Sequence, residues 1–267
     1  MLAERAVLTD LGVISDPFAR GMLAPPFAAI VGTMRLLPNR VTERSVTLAG
    51  LAARVSWFDA QVSDALDAGI TQIAVIGAGY DSRAWRFGRD GVRFFELDHR
   101  ATQQDKTQRA PGPGPTYVEA DLTTRTASEA LRAHGLDVSR PALFVLEGVT
   151  MYLGEEVVRR QLGELARSSP IDSRLAVDFY PPARSGTSRN QRQLRLQRLA
   201  RAGGDESFKL VVDRPGAVAL VEDSGWHVDE QTSLRDAARA IVPSDVRLPI
   251  DTINEHKTLV AAVRAWR

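Results

Sequence analysis

Five short, largely apolar runs, spaced by helix-length segments, constrain this chain more than any other feature. They are Gln72–Ile76, Arg93–Leu97, Thr116–Glu119, Ala142–Leu146 and Leu175–Phe179, with helices expected near His99–Arg109, Thr126–Ala133 and Glu155–Ser168. A strand that is apolar on both faces has to be covered on both. This pattern therefore predicts an α/β fold, with a mostly parallel sheet between helical layers. Upstream, Leu48, Leu51, Val55, Phe58 and Val62 recur at three- and four-residue steps. They give one apolar stripe on a helix expected over Val41–Leu66, which Gly69 closes.

The remaining segments attach to this core. Pro17, Pro25, Pro26 and Pro38 break residues 1–40 into short helices, expected as an N-terminal helical cap. Pro111-Gly112-Pro113-Gly114-Pro115 reads as a turn between elements, not a linker. After Tyr180-Pro181-Pro182 comes an Arg-rich helical stretch, Ser188–Arg201. A helix around Pro215–Asp223, a short strand Gly225–Val228 and a last strand Thr258–Arg264 follow. The expectation is one domain over 1–267, with the cap and an insertion at 181–210 able to act as a lid. The arginines at 189, 192, 195, 198 and 201 drift around a helix axis and read as a solvated surface.

Charge and composition narrow the function classes. Lys+Arg 34 against Asp+Glu 33 gives a formal charge of +1, which offers no basic field for nucleic acid or an acidic membrane. There is no cysteine, so disulfides, thiolate metal sites and a thiol nucleophile are excluded. No apolar run approaches the ~20 residues of a membrane span. A soluble, cytoplasmic protein acting on a small molecule, with no metal site, is expected; oligomeric state is not readable.

The opening strand Ile73–Ile76 runs straight into Gly77-Ala78-Gly79-Tyr80-Asp81. Glycines at a strand's carboxyl end let a ligand approach the backbone, and open parallel sheets bind ligands there. Asp98 ends the second strand, 21 residues after Gly77, where a carboxylate accepts from a ribose diol. Asp121-Leu122 follows the third strand, where an adenine edge would lie. These features suit any adenosine-containing cofactor. Asp81 favours a sulfonium donor over a dinucleotide, since a carboxylate about 4 Å from a pyrophosphate costs on the order of 4 kcal/mol at an effective dielectric near 20. A glycine is also missing at the third fingerprint position, where Ser82 stands.

Val75-Ile76-Gly77-Ala78-Gly79-Tyr80-Asp81-Ser82-Arg83 resembles the GAGxDTR signature of the leucine carboxyl methyltransferase-like family, in its bacterial branch. Leu146-Glu147-Gly148-Val149-Thr150-Met151-Tyr152-Leu153 is similar to that family's EGxxxYL motif, and Arg54 with Phe58-Asp59 to its Arg-x-x-x-Phe-Asp helix. The family's usual Thr is Ser82 here, and its frequent Pro after the ribose-binding Asp is His99. The resemblance implies a Rossmann-like class I methyltransferase fold with a seven-stranded sheet, helices on both faces and a helical lid. It implies S-adenosyl-L-methionine as cofactor. Arg54 would pair with the cofactor's methionine carboxylate and Glu147 with its α-amino group. Gly77, Ala78 and Gly79 would pass beside its methionine part, with Asp81 in the same turn. Asp98 would hold the ribose, Asp121 and Leu122 the adenine, and Tyr152 would face the substrate.

The residues also admit structural roles. Asp98 and Asp121 could be helix N-caps, Arg54 half of a surface i,i+4 pair, and Tyr152 a core tyrosine. None of His99, His134, His227 and His256 sits in a catalytic motif. A carboxylate nucleophile, ionised at pH 7, needs no base. Together with the resemblance, this points to methyl-ester formation on a small acid of the polyketide or secondary-metabolite type. The alternatives are a hydroxyl or phenol acceptor, a catalytically silent cofactor-binding regulator, and an NAD-type oxidoreductase.

Overall fold

The computed structural model describes residues 1–34, 45–182, 208–242 and 248–264. Among these residues seven strands, numbered in chain order, form one sheet in the order β3-β2-β1-β4-β5-β7-β6. Strands β1 (Gln72–Ile76), β2 (Arg93–Asp98), β3 (Thr116–Glu119), β4 (Leu143–Leu146) and β5 (Arg174–Phe179) run parallel. Strand β7 (Thr258–Val263) is antiparallel to both β5 and β6 (His227–Ser233). Every residue of β1 and β4 is buried, as the continuous apolar runs require. The strand order reverses between β1 and β4, which opens a crevice at their carboxyl ends.

Each face of the sheet carries its own helical layer. Helix α3 (Val46–Asp67) begins at Ser45, whose hydroxyl accepts from the Leu48 N–H at 3.2 Å. Residues 41–44 of the expected helix lie outside the described residues. Leu48, Leu51, Val55, Phe58 and Val62 are all buried against the sheet. Each such side chain stabilises the fold by roughly 1.5–3 kcal/mol, and the stripe also aims Arg54 at the crevice. Gly69, at φ +85°, turns the chain back toward β1. The opposite layer is the helices Ala127–Ala133 and Glu155–Ser168, joined by Ala217, Leu220 and Val221 of the helix Arg214–Asp223.

The amino-terminal helices α1 (Leu2–Asp10) and α2 (Pro25–Met34) belong to the first layer. Arg5 of α1 donates to the Tyr80 carbonyl and pairs with Asp16, which in turn accepts from the Ser82 hydroxyl at 2.8 Å. The cap is therefore fastened to the glycine turn. Of the insertion expected at 181–210, residues 183–207, with the Arg-rich stretch, lie outside the described residues. The chain re-enters with Lys209 N–H on the Met151 carbonyl at 2.8 Å and Val212 N–H on that of Tyr180 at 2.8 Å.

Two expectations need correction. The strand expected at Gly225–Val228 starts later and runs to Ser233. Trp226 lies before it in the core, its indole N–H on the Leu162 carbonyl at 3.0 Å. Most of β6 is exposed, so it lacks the apolar run that marks the inner strands. A helix at Leu234–Ile241, capped by the Ser233 hydroxyl, was not expected at all.

Candidate functional site

The site is built where β1 and β4 diverge. Beyond Ile76 the chain turns through Gly77, at φ +69°, whose N–H donates to the Leu97 carbonyl at 2.7 Å. A Cβ on Gly77 would lie 2.2 Å from Val149 Cγ2, so the turn and the loop after β4 touch through glycine alone. Ala78 also donates to Leu97. Gly79, at φ +52°, is different. A Cβ there would meet nothing within 4 Å, which leaves room for a ligand against the backbone. Its N–H donates to Asp98 Oδ2 at 2.6 Å, binding the turn to the end of β2.

Behind the turn lies a network of buried ion pairs. Arg54 Nε donates to Glu147 Oε1 at 3.0 Å, joining α3 to the end of β4. Arg83, in the short helix Arg83–Arg86, reaches Asp59 at 2.8 Å, Glu147 at 2.8 Å and the Asp81 carboxylate. Arg86 closes on Asp59 from the other side. At the end of β5, Asp178 accepts the Gly148 N–H at 2.7 Å and pairs with Lys257 at 2.9 Å. The Tyr180 hydroxyl accepts from Arg54 Nη1 at 3.1 Å and from Lys257 Nζ at 2.7 Å.

The protonation states follow from competition between burial and charge. Burial disfavours each ion, but Arg83 and Arg54 hold Glu147 below its ordinary range. Against the same burial, Arg83 and Lys106 bring Asp81 down to about 2. Burial works against Arg54 as well, but the Glu147 and Asp178 carboxylates raise it above its ordinary value. Asp59, Asp81, Glu147 and Asp178 thus face Arg54, Arg83, Arg86 and Lys257 in a balanced cluster. Removing one member of such a pair typically costs about 3–5 kcal/mol.

This geometry corrects the argument from Asp81. Its carboxylate is buried, accepts the Arg83 backbone N–H at 2.7 Å and is neutralised by the Arg83 guanidinium. It does not stand in the crevice as an uncompensated charge able to repel a pyrophosphate.

The structural alternatives fare unequally. Arg54 is 5% exposed, and its carboxylate partner Glu147 is 93 residues away, so it is no surface pair. His99, not Asp98, caps helix Arg100–Thr107 through Nδ1, leaving Asp98 at the strand end. Asp121 is exposed and caps no helix; its Oδ1 closes a local turn on the Thr123 N–H and hydroxyl, at 2.8 and 2.7 Å. Those bonds hold its carboxyl below the ordinary range. Leu122 is buried beside it, its carbonyl taken by Gln161 at 2.7 Å. Tyr152 lies half-buried in the 3-10 turn Thr150–Tyr152, its ring edge-on to Phe208 at 6.1 Å.

Sequence reasoning gave no role to Asp59, Arg83, Asp178, Tyr180 or Lys257. Asp178 carries a readable signal, a carboxylate near the carboxyl end of an apolar strand, as in β2. Lys257 carries none. Among the described residues no cluster of metal-ligating side chains occurs, and no helix is long and apolar enough to cross a membrane.

Comparison with known proteins gives a consistent picture. The profile of a family described as leucine carboxyl methyltransferase matches residues 1–166. A provisionally named S-adenosyl-L-methionine-dependent methyltransferase of Mycobacterium sp. (strain KMS) is 31% identical over 256 residues, covering 86% of this chain and 83% of that one. A similarly named protein of Mycobacterium avium (strain 104) is 32% identical, covering 84% and 78%. Among solved structures, a DUF574 family protein from Streptomyces avermitilis aligns with a TM-score of 0.59 at 17% identity, covering 98% and 97%. A provisionally named methyltransferase from Thermobifida fusca aligns at 0.53 and 18%, covering 99% and 94%. At those identities the structures speak for the fold, which is the Rossmann-like α/β fold expected.

Proposed function

Because the chain belongs to the leucine carboxyl methyltransferase family, we propose that its S-adenosylmethionine-dependent methyl transfer forms a methyl ester on a small carboxylic acid. The observation that carries the cofactor assignment to individual residues is the buried Arg54–Glu147 pair at the rim of the crevice. A zwitterionic amino-acid end can exchange with that pair. Its carboxylate takes Arg54, whose planar fork suits it, and its ammonium takes Glu147. Gly77, Ala78 and Gly79 run beside the methionine part, and the open space at Gly79 suits such an approach. Asp98 holds the ribose, and Asp121 with Leu122 meets the adenine. Asp81 acts at one remove, by orienting Arg83 toward Glu147.

S-adenosylmethionine supplies an electrophilic methyl carbon, so the protein's task is to hold a nucleophile in line with it. Positioning of this kind can contribute on the order of 7–11 kcal/mol. A carboxylate needs no proton removed, and the histidines are consistent with that. His99 caps a helix, the His134 ring bonds the Ala130 carbonyl, and His227 and His256 are exposed. Tyr152, on the same rim, would orient the acceptor.

Purified protein, labelled S-adenosylmethionine and a panel of carboxylic acids and phenols test this reading. Base-labile product is expected. A base-stable ether would move the reaction to a hydroxyl acceptor, and cofactor binding without turnover across the panel would make the protein a silent regulator.

A further inference from the structure

Tyr180 is bonded in a way that its position at the strand end does not require. A phenol oxygen has two lone pairs and one proton. Here both lone pairs are taken by cationic donors, Arg54 Nη1 at 3.1 Å and Lys257 Nζ at 2.7 Å. Among the described residues nothing accepts the Tyr180 O–H. The Lys257 ammonium also lies 4.0 Å from the ring centroid and is anchored by Asp178, so the phenol is held rigidly. Two cations on the oxygen polarise the O–H and make it a stronger donor toward an anion.

Its surroundings are aromatic. The Phe208 ring lies 5.2 Å from that of Tyr180, tilted by 56°, and 6.1 Å from that of Tyr152 at 77°. Phe208 is 38% exposed, and both tyrosines are half-buried. The three rings form one wall on the rim that carries Glu147, with a polarised hydroxyl at one end. Such a surface suits a flat apolar body carrying one anionic head.

We propose that Tyr180 binds the acceptor by donating its O–H to one oxygen of an arene carboxylate, whose ring lies against Phe208 and Tyr152 while the other oxygen faces the methyl group. This rests on the carboxylate reading above. The oxygen that attacks forms the new C–O bond, the methyl–sulfur bond breaks, and its electron pair stays on sulfur. No proton moves, and Tyr180 keeps its own. Because the carboxylate loses charge in the transition state, the bond from Tyr180 is stronger in the ground state. It therefore governs binding more than the chemical step.

The test titrates the full-length protein, saturated with S-adenosylhomocysteine, with benzoate, 1-naphthoate and acetate by calorimetry. The same acids are then run in steady-state turnover. The wild type should bind the arenes in preference to acetate. Tyr180→Phe should bind them about 10- to 100-fold more weakly, with KM raised by a similar factor, kcat unchanged or higher, and S-adenosylhomocysteine affinity moved less than threefold. Phe208→Leu should lose the preference for arenes while retaining binding of acetate. Equal affinity of wild type and Tyr180→Phe for the arenes would overturn the role of Tyr180, even where ester product persists. So would a parallel loss of cofactor and acid binding, which marks a structural role. No affinity for any arene carboxylate would overturn the acceptor class, and base-stable ether product would overturn the carboxylate reading beneath it.

Discussion

Replacing Gly77 by alanine tests whether the crevice is held open by one missing side chain. The new Cβ would sit 2.2 Å from Val149 Cγ2 and 3.1 Å from Cγ1, over 1 Å inside normal contact for the nearer carbon. It would also hold a non-glycine residue at φ +69°. The backbone strain costs roughly 1–2 kcal/mol and the overlap about 1–3 kcal/mol more. Gly79→Ala carries only the strain, since nothing lies within 4 Å of its Cβ. Urea unfolding should therefore rank Gly77→Ala about 1–3 kcal/mol less stable than Gly79→Ala. Val149→Ala, which removes both offending methyls, should return that difference in the double variant as a coupling energy of similar size. S-adenosylhomocysteine affinity, lost in Gly77→Ala as the β1 and β4 loops are pushed apart, should partly recover with it. Equal destabilisation at Gly77 and Gly79, with coupling below about 0.5 kcal/mol, would refute the steric account.

Three further outcomes follow from the ionic geometry. Glu147→Gln leaves Arg54 and Arg83 sharing a neutral partner; about 3 kcal/mol of stability and most S-adenosylhomocysteine affinity should go, as denaturation and calorimetry would record. Asp98→Ala frees the Gly79 N–H, at a cost of about 1 kcal/mol in unfolding, and should weaken the same ligand by more than that loss explains; unchanged affinity would remove Asp98 from the ribose. Burial, only partly offset by Lys106, pushes Glu96 from an ordinary 4.5 up to about 7. Between those values the folded chain holds a proton that the unfolded chain has released. Its contribution to stability is thus whole below about 4.5, falls as pH rises to about 7, and is flat above. That slope should be absent from Glu96→Gln and should be what remains in the difference between wild type and the variant.

What the sequence disclosed depended on whether a signal was local. Strands β1 and β3 run as expected, and β2, β4 and β5 differ by one residue at one end, because continuous apolar runs flanked by turns leave little choice. Strand β6 is an exposed edge, where the rule has nothing to detect. The helix Leu234–Ile241 was legible in principle. Ser233 stands three before Asp236, and Leu234, Ala237, Ala238 and Ile241 keep helical spacing. Its small alanines disguise the stripe. Arg54 and Glu147 were readable as separate motifs, but not as partners. Lys257 could not be read, since only the antiparallel return of β7 beside β5 brings it to Asp178.

The correction at Asp81 also moves the ground on which the cofactor is discriminated. A carboxylate considered alone repels a diphosphate; one bonded to Arg83 has already spent most of that field. What remains is the balance of the cluster. Four carboxylates, Asp59, Asp81, Glu147 and Asp178, face four cations, Arg54, Arg83, Arg86 and Lys257. A zwitterion can trade places with one internal pair and leave every buried charge compensated. A diphosphate brings two negative charges and no ammonium for Glu147, so a cation would have to be stripped from its own carboxylate, stranding that carboxylate in a buried site. On the proposed site, selectivity then lies in the exchange of Arg54 and Glu147. It should survive Asp81→Asn far better than Glu147→Gln, and competition between S-adenosylhomocysteine and a dinucleotide in the two variants would separate the accounts. Loss of discrimination in Asp81→Asn alone would restore the single-carboxylate explanation.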